Sequence, residues 1–404
     1  MNTFHIPENL IRREQYLSRI KPFIGKNLIK VFTGQRRVGK SYLLFQIIQL
    51  IRETHPDSVI IYINKEDLAF DHIQTAADLH AFVLSNISKK KLNFVFIDEI
   101  QEIKEFEKSL RSLLLNGDID IYCTGSNAQL FSGELATLLS GRYVEITVHS
   151  LSYVEFLLFH HLQQSEDSLE KYWKYGGLPY LVHLPLTDAV IFEYLKNIYA
   201  TIVYRDVIER YSIRNIRFLE KLVLFLADNT GSLFSAKRIS DFLKSQHVKL
   251  APNQVQVYLD HLCSAFLIRR VERFDIVGKR IFETGEKYYF ENLGIRNGIW
   301  GYKPQDLGKI IENIVYNHLI FSGYKVQTGS LNTEEIDFVC EKEGERIYIQ
   351  VALRLTEENT IRREFENLLK IKDNFPKKVI TLDAFSGNTW QGIEHIQLSE
   401  FLLT

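Results

Sequence analysis

The sequence predicts an α/β protein whose first part is a five-stranded parallel sheet in the order 5-1-4-3-2. A helical lid, a three-helix segment with a hairpin, and a second α/β unit follow it. Three observations carry this. A glycine-rich run, Gly34 to Ser41, sits between an apolar run and a stretch with apolar residues at helical spacing. A later apolar run ends in two acids, Asp98 and Glu99. One further apolar run lies between these two, so the acidic strand is third in the chain rather than second.

Composition narrows the class. The 404 residues allow two to four domains at about 150 residues each. Lys plus Arg (49) nearly balances Asp plus Glu (50), which excludes a globally basic nucleic-acid coat and an acidic tail. Cys123, Cys263 and Cys340 lie far apart, which excludes a disulfide framework or a cysteine-rich zinc site. The first residues, MNTFHIPENLIRREQ, have no apolar signal core, and no apolar run reaches the roughly 18 residues of a membrane span. A cytoplasmic protein without membrane contact is expected.

The first strand is expected at 28–33. Gly34-Gln35-Arg36-Arg37-Val38-Gly39-Lys40-Ser41 then fits G-x-x-x-x-G-K-[ST], the phosphate loop of P-loop NTPases, and Tyr42 continues into the helix. Glycines let the backbone wrap a phosphate, and successive N–H groups at a helix N-terminus point at the anion. Lys40 is placed to reach the β- and γ-phosphates and Ser41 to ligate Mg²⁺. The second strand is expected at 58–63. Asn64-Lys65-Glu66-Asp67 after it is a loop, not the base-reading motif of GTPases. The third, 94–97, delivers Asp98 to the metal and Glu99 to the attacking water. An acid at the end of a buried strand needs such a partner. The fourth, 119–124, breaks into Ser126 and Asn127, either of which could bond the γ-phosphate or the water. The fifth is expected at 144–148. An acidic strand in third place is the pattern of P-loop ATPases with a catalytic glutamate.

Four segments are expected: the ATPase core (1–152), the helical lid (153–215), a winged-helix-like part (216–300) and a restriction-endonuclease-like α/β part (301–404). Residues 216–300 read as three helices and a hairpin. The stretch Leu250 to Ile268 holds no Lys or Arg, so basic residues fall on the wing: Arg269, Arg270, Arg273, Lys279 and Arg280; the part is expected to contact a protein partner or serve as scaffold, with DNA contact through the wing as the alternative. In residues 301–404 the order αβββαβ, with Glu312, Asp337 and Gln350, is similar to the PD-(D/E)xK nuclease core. The lysine position holds Ala352. Arg354 shares that strand face but stays protonated and cannot act as a base. The expectation is a nuclease-like fold that has lost cleavage.

Taken with FIDEIQEI, YCTGSNAQL, LLSGRYVEI, YGGLPYL and EKYYFENLGIRN, the sequence resembles prokaryotic AAA-type ATPases with a C-terminal domain of uncharacterised function. The resemblance covers nearly the whole chain and implies ATP rather than GTP. It implies a trans-acting role for Arg142, just before the fifth strand, and hence an oligomer. It also implies that Gly177 and Pro179 of a G-x-P motif lie over the adenine, and that Arg205 is a candidate second sensor. Three functions follow as expectations: a Mg²⁺-dependent ATPase coupled to its C-terminal parts, a nucleotide-gated DNA-binding protein gripping DNA through wing and C-terminal part, or a weak metal-dependent nuclease.

Overall fold

The computed structural model describes residues 4–130, 139, 141–245, 250–276, 278, 285–332, 334–354, 365–383 and 389–404. Contacts divide the chain into two compact units. One is Met1–His149 with Ser264–Phe266; the other is Ser150–Cys263 with Leu267–Thr404.

The first unit opens with α1 (Glu14–Ile20) and then alternates strand and helix: β1 (Ile29–Thr33), α2 (Lys40–Thr54), β2 (Val59–Asn64), α3 (Ala76–Asn86), β3 (Asn93–Asp98), α4 (Phe106–Leu113), β4 (Ile119–Gly125) and β5 (Tyr143–Thr147). The strands pair in the order β2-β3-β4-β1-β5, all parallel, which is the expected order read from the other edge. β1, β3 and β4 are buried along their whole length, as inner strands covered on both faces must be. Their apolar side chains form one core with Leu79 and Val83 of α3 and Leu110 of α4.

Two polar devices brace this unit. Lys30 of β1 pairs with Asp120 of the adjacent β4, and Asp120 also accepts from the Gly25 amide (2.8 Å) and the Tyr122 hydroxyl (2.9 Å). Burial dominates both groups, pulling the ammonium down and the carboxyl up, so each partner is needed to keep the other charged. Arg13, buried at the start of α1, donates from Nη1 to the carbonyls of Val38 and His149, both at 3.1 Å. It thereby ties the phosphate loop to the segment after β5.

The second unit begins with α5 (Tyr153–Phe159), α6 (Glu166–Tyr175) and α7 (Asp188–Thr201), the helices expected at 153–215. A π-helical segment, Ile202–Glu209, carries the exposed Arg205. Next come α8 (Ile216–Asp228), α9 (Ala236–Ser245) and α10 (Pro252–Ser264), with Pro252 at the first helical position. β6 (Ile268–Asp275) and β7 (Glu286–Phe290) make the expected antiparallel hairpin. The chain ends with α11 (Leu293–Trp300), α12 (Leu307–Phe321), β8 (Lys325–Leu331), β9 (Glu334–Lys342), β10 (Glu345–Ala352), β11 (Lys377–Thr381), β12 (Thr389–Trp390) and β13 (Ile393–Gln397), followed by a last short helix.

Pairing adds something the pattern did not reveal. β6 is eight residues long and β7 five, so the last part of β6 extends past its partner. β8 covers that edge, running parallel from Arg273↔Thr328 to Asp275↔Ser330. The result is one eight-stranded sheet, β12-β13-β11-β10-β9-β8-β6-β7, shared by the hairpin and the C-terminal strands. α6 and α11 approach closely because Gly294 has no side chain; a Cβ there would lie 1.9 Å from the Tyr175 carbonyl oxygen.

Arg296 of α11, fully buried, is the polar centre of this unit. It donates to the Ala227 carbonyl (2.9 Å), Asn297 Oδ1 (3.1 Å) and Asp306 Oδ2 (2.7 Å). Arg296→Met leaves the Asp306 carboxylate unpaired and is expected to cost about 3–5 kcal/mol in urea unfolding. Adding Asp306→Asn should recover part of that loss, and a single variant as stable as wild type would contradict the assignment.

Candidate nucleotide site

The segments that follow β1, β3 and β4 at the carboxyl edge of the parallel sheet contribute to one cluster, where open α/β sheets bind ligands. After β1, Gly34 takes φ of 151°, and a Cβ there would stand 2.2 Å from the Val148 carbonyl oxygen. Only glycine lets the loop turn against that neighbour. Arg37 and Gly39 follow in the left-handed region at 69° and 94°, and α2 starts at Lys40. Lys40 Nζ donates to the carbonyls of Gly34 (3.1 Å) and Gln35 (3.2 Å) and lies 3.8 Å from Glu99 Oε1.

Asp98, at the end of β3, is 2% exposed. Hydroxyls from both flanking strands donate to it: Tyr62 of β2 at 3.1 Å and Thr124 of β4. Ser41 of α2 makes a third bond. Burial pushes the Asp98 carboxyl above its usual range, more than these bonds and Lys40 pull it down. A desolvated carboxylate beside the Ser41 hydroxyl fits a divalent cation, whose charge would reverse that shift. Ser41 and Asp98 are the residues that would hold it.

Glu99 takes φ of 56°, fixed by its amide donating to Thr124 Oγ1 at 2.9 Å. Burial alone would raise its carboxyl, but Lys40, the Gln101 amide, Arg36 and Ser126 together hold it below the usual range. Glu99 is therefore an ionised acceptor at neutral pH. Gln101 Nε2 bonds both Glu99 Oε2 and, at 3.4 Å, Ser126 Oγ.

The other expected residues divide. Arg36 lies 3.5 Å from Glu66, Val38 is braced by Arg13, and Tyr42 is exposed beside Phe45. Of the two sensor candidates, Ser126 reaches the Glu99 carboxylate, whereas Asn127 Oδ1 accepts from the Gln129 amide at 2.7 Å in a local turn. Arg142 is exposed at the amino end of β5, its carbonyl bonded to the Ile29 amide at 3.0 Å. The five residues of β1 put roughly 16 Å of strand between that end and the phosphate loop. Gly177 and Pro179 belong to the second unit, where the Gly177 carbonyl accepts from the Leu151 amide (2.7 Å) and Pro179 opens a short helix. Sequence reasoning missed Tyr62, Thr124, Gln101 and Arg13. Thr124 had a signal, a hydroxyl at the end of an apolar strand. Tyr62 had none without the strand register.

Residues 26–157 match the AAA domain family, and residues 166–306 match a domain of unknown function, DUF8612. An uncharacterized protein of Haemophilus influenzae is 38% identical over 403 residues, covering 98% of this chain and 99% of its own length. The chain belongs to the same family as that protein, and its residues 26–157 are an AAA domain. Another relative, an uncharacterized protein of Methanocaldococcus jannaschii, is 31% identical over 398 residues, covering 92% of this chain and 86% of that one. The fold is similar to that of a Walker-type ATPase of Pyrococcus abyssi, with a TM-score of 0.50 at 16% identity over 72% of this chain and 96% of that one. Among the described residues of this AAA-type chain, no helix is long and apolar enough to cross a membrane.

The C-terminal acids also come together. Asp337 Oδ2 accepts from the Val351 amide (2.8 Å), and Gln350 Oε1 accepts from the Asp337 amide (3.3 Å). The cation among them comes from β7: Lys287 Nζ is 2.8 Å from Glu312, 2.7 Å from Glu335 and 3.6 Å from Asp337. Burial and then Glu312 push the Asp337 carboxyl up to about 8. Arg354 lies apart, 3.7 Å from Asp383. Among the described residues no group of three or more His, Cys, Asp or Glu is disposed to hold a metal. The wing arginines are engaged within the unit as well. Arg269 pairs with Glu291, Arg270 with Asp260 and Glu286, and Arg273 bonds Ser330 Oγ at 3.0 Å. Lys279 and Arg280 lie outside the described residues.

A carboxyl raised on folding favours the folded state at low pH and loses that contribution as pH climbs through its folded value. Asp98→Asn is therefore expected to melt higher than wild type at pH 8 without magnesium or nucleotide, with the gain shrinking toward pH 4. Thermal melts across that range check this. A gain that does not grow with pH would count against a strained carboxylate.

Proposed function

We propose that this protein binds ATP with Mg²⁺ and hydrolyses it to ADP and phosphate. The observation that carries the reading is the convergence of Lys40, the Ser41–Asp98 bond and an ionised Glu99 at the ends of β1 and β3. Amides of Gly34 to Ser41 and the first turn of α2 would bind the phosphates. Lys40 Nζ, now on two loop carbonyls, would exchange them for phosphate oxygens. Mg²⁺ held by Ser41 and Asp98 would neutralise charge on the triphosphate. Glu99 would take the proton of the attacking water at its carboxylate, which Gln101 and Ser126 orient. Asn127 is proposed as a backbone-shaped sensor turn, and Arg142 as a group acting on another copy's site, since its own phosphate loop lies beyond reach. Gly177 and Pro179 stay proposed as adenine contacts through the family resemblance.

Phosphate release tests this. Lys40→Ala is expected to lose nucleotide binding. Glu99→Gln is expected to keep binding and lose about 10²–10⁴-fold in turnover. Wild type no faster than Glu99→Gln would leave binding without hydrolysis.

For the second unit we propose a winged-helix-like part and a nuclease-like part without cleavage. The order α12-β8-β9-β10 followed by β11 supports the latter, as does the meeting of Glu312, Asp337 and Gln350. Lys287 argues against cleavage, because its ammonium lies among the carboxylates that a metal would need. Paired wing arginines weaken a DNA grip at 269–273. Plasmid incubated with Mg²⁺ or Mn²⁺ is expected to stay intact; nicking that Asp337→Ala removes would reverse this reading.

A further inference from the structure

Residues 264–266 belong with the ATPase core, although the chain on both sides of them belongs to the other unit. Hydrogen bonds from the core help to hold them there. The fully buried Gln35 donates from Nε2 to the Phe266 carbonyl at 2.7 Å, and the Ala128 amide donates to the Ser264 carbonyl at 2.8 Å. Both donors sit beside the proposed chemistry. Gln35 is the second residue of the phosphate loop, and its carbonyl is one of the two that Lys40 bonds. Ala128 lies two residues past Ser126, which bonds Glu99.

The joint is also under constraint. Phe266 is buried with φ of 54°, a left-handed backbone that a bulky residue keeps only where its surroundings impose it. Gln35 Oε1 is buried with no hydrogen-bond partner among the described residues, so this side chain is not in its most favourable state.

Resting on the ATPase reading, we infer that residues 264–266 are a strap that reads the nucleotide at both ends of the site. When Lys40 leaves the Gln35 carbonyl for a phosphate oxygen, that peptide is freed to turn, and the donor held on Phe266 turns with it. A change at Glu99 acts through Ser126 on the Ala128 donor. Ser264 is the last residue of α10, and β6 begins two residues after Phe266. Any shift of the strap is thus passed through peptide bonds to a helix and a strand of the second unit.

Hydrogen exchange on the full chain tests this, with and without a saturating Mg²⁺–non-hydrolysable ATP analogue, saturation being set by titration for each variant. In wild type the analogue is expected to change exchange of the 264–268 amides about fivefold, the effect of one net hydrogen bond. Gln35→Met keeps the side-chain length and removes the donor. Phe266→Gly leaves the phosphate loop untouched and relaxes the left-handed backbone. Gln35→Met is expected to exchange faster at 264–268 without nucleotide and to lose the nucleotide response, whereas Phe266→Gly keeps the bonded carbonyl and is expected to keep the response. Wild type that binds the analogue with no change at 264–268, or Gln35→Met that keeps the wild-type response, overturns the strap and leaves the ATPase reading standing. Wild type that binds no nucleotide overturns both.

Discussion

A carboxylate sealed at the end of an inner strand is the constraint around which the first unit is organised. Asp98 cannot be relieved by solvent, and it draws a hydroxyl from each adjacent strand and one from the helix after the phosphate loop. Those three donors belong to β2, β4 and α2, so the register of three strands and the start of a helix are fixed by one acid. The strand β4 inserted between β1 and β3 matters here. It supplies Thr124, whose single oxygen both donates to Asp98 and accepts the Glu99 amide. One threonine thus couples the orientation of Asp98 to that of Glu99.

The chain contains a second acidic cluster, and the contrast between the two is informative. Around Asp337, charge is met from within, by Lys287 lying among Glu312, Glu335 and Asp337. Around Asp98, the nearby ammonium of Lys40 is turned instead to loop carbonyls and to Glu99. In the Asp337 cluster an ammonium already stands where a cation would have to stand. Beside Asp98 that place is left to the Ser41 hydroxyl. The same residue types therefore carry opposite chemical expectations, decided by where the lysine stands.

Much of the first unit was legible because its signals are local. Five apolar runs gave five strands to within a residue or two at their ends. Gly34 to Ser41 announced itself by types that only a phosphate loop needs at that spacing. Asp98 and Glu99 stood out as acids closing an apolar strand. Partners fixed by register were not legible. Tyr62 reaches Asp98 because β2 lies beside β3, with Asn64 opposite Asp98, and no pattern along the chain states that. Lys287 was invisible for the same reason. It precedes the acids it neutralises by 25 residues or more, and reading two residues along β10 for a lysine found Ala352 instead. The wing arginines were legible as positive charge but not as bonded charge, since Glu291, Asp260 and Glu286 meet them through tertiary packing.

Arg142 shows how far geometry alone can take a charge whose role is otherwise open. A parallel sheet puts all its carboxyl ends on one edge and all its amino ends on the other. The Ile29 amide bonded to the Arg142 carbonyl places this arginine at the amino edge, and every phosphate-loop residue is at the carboxyl edge. An extended arginine side chain covers less than half of the roughly 16 Å between them. Local rearrangement cannot close that gap without dissolving β5 from β1, which would also remove the Val148 carbonyl against which Gly34 turns. The arginine is thus excluded from its own site by the same strand pairing that builds the site. Phosphate held by Gly34 to Ser41 of the same chain is out of its reach.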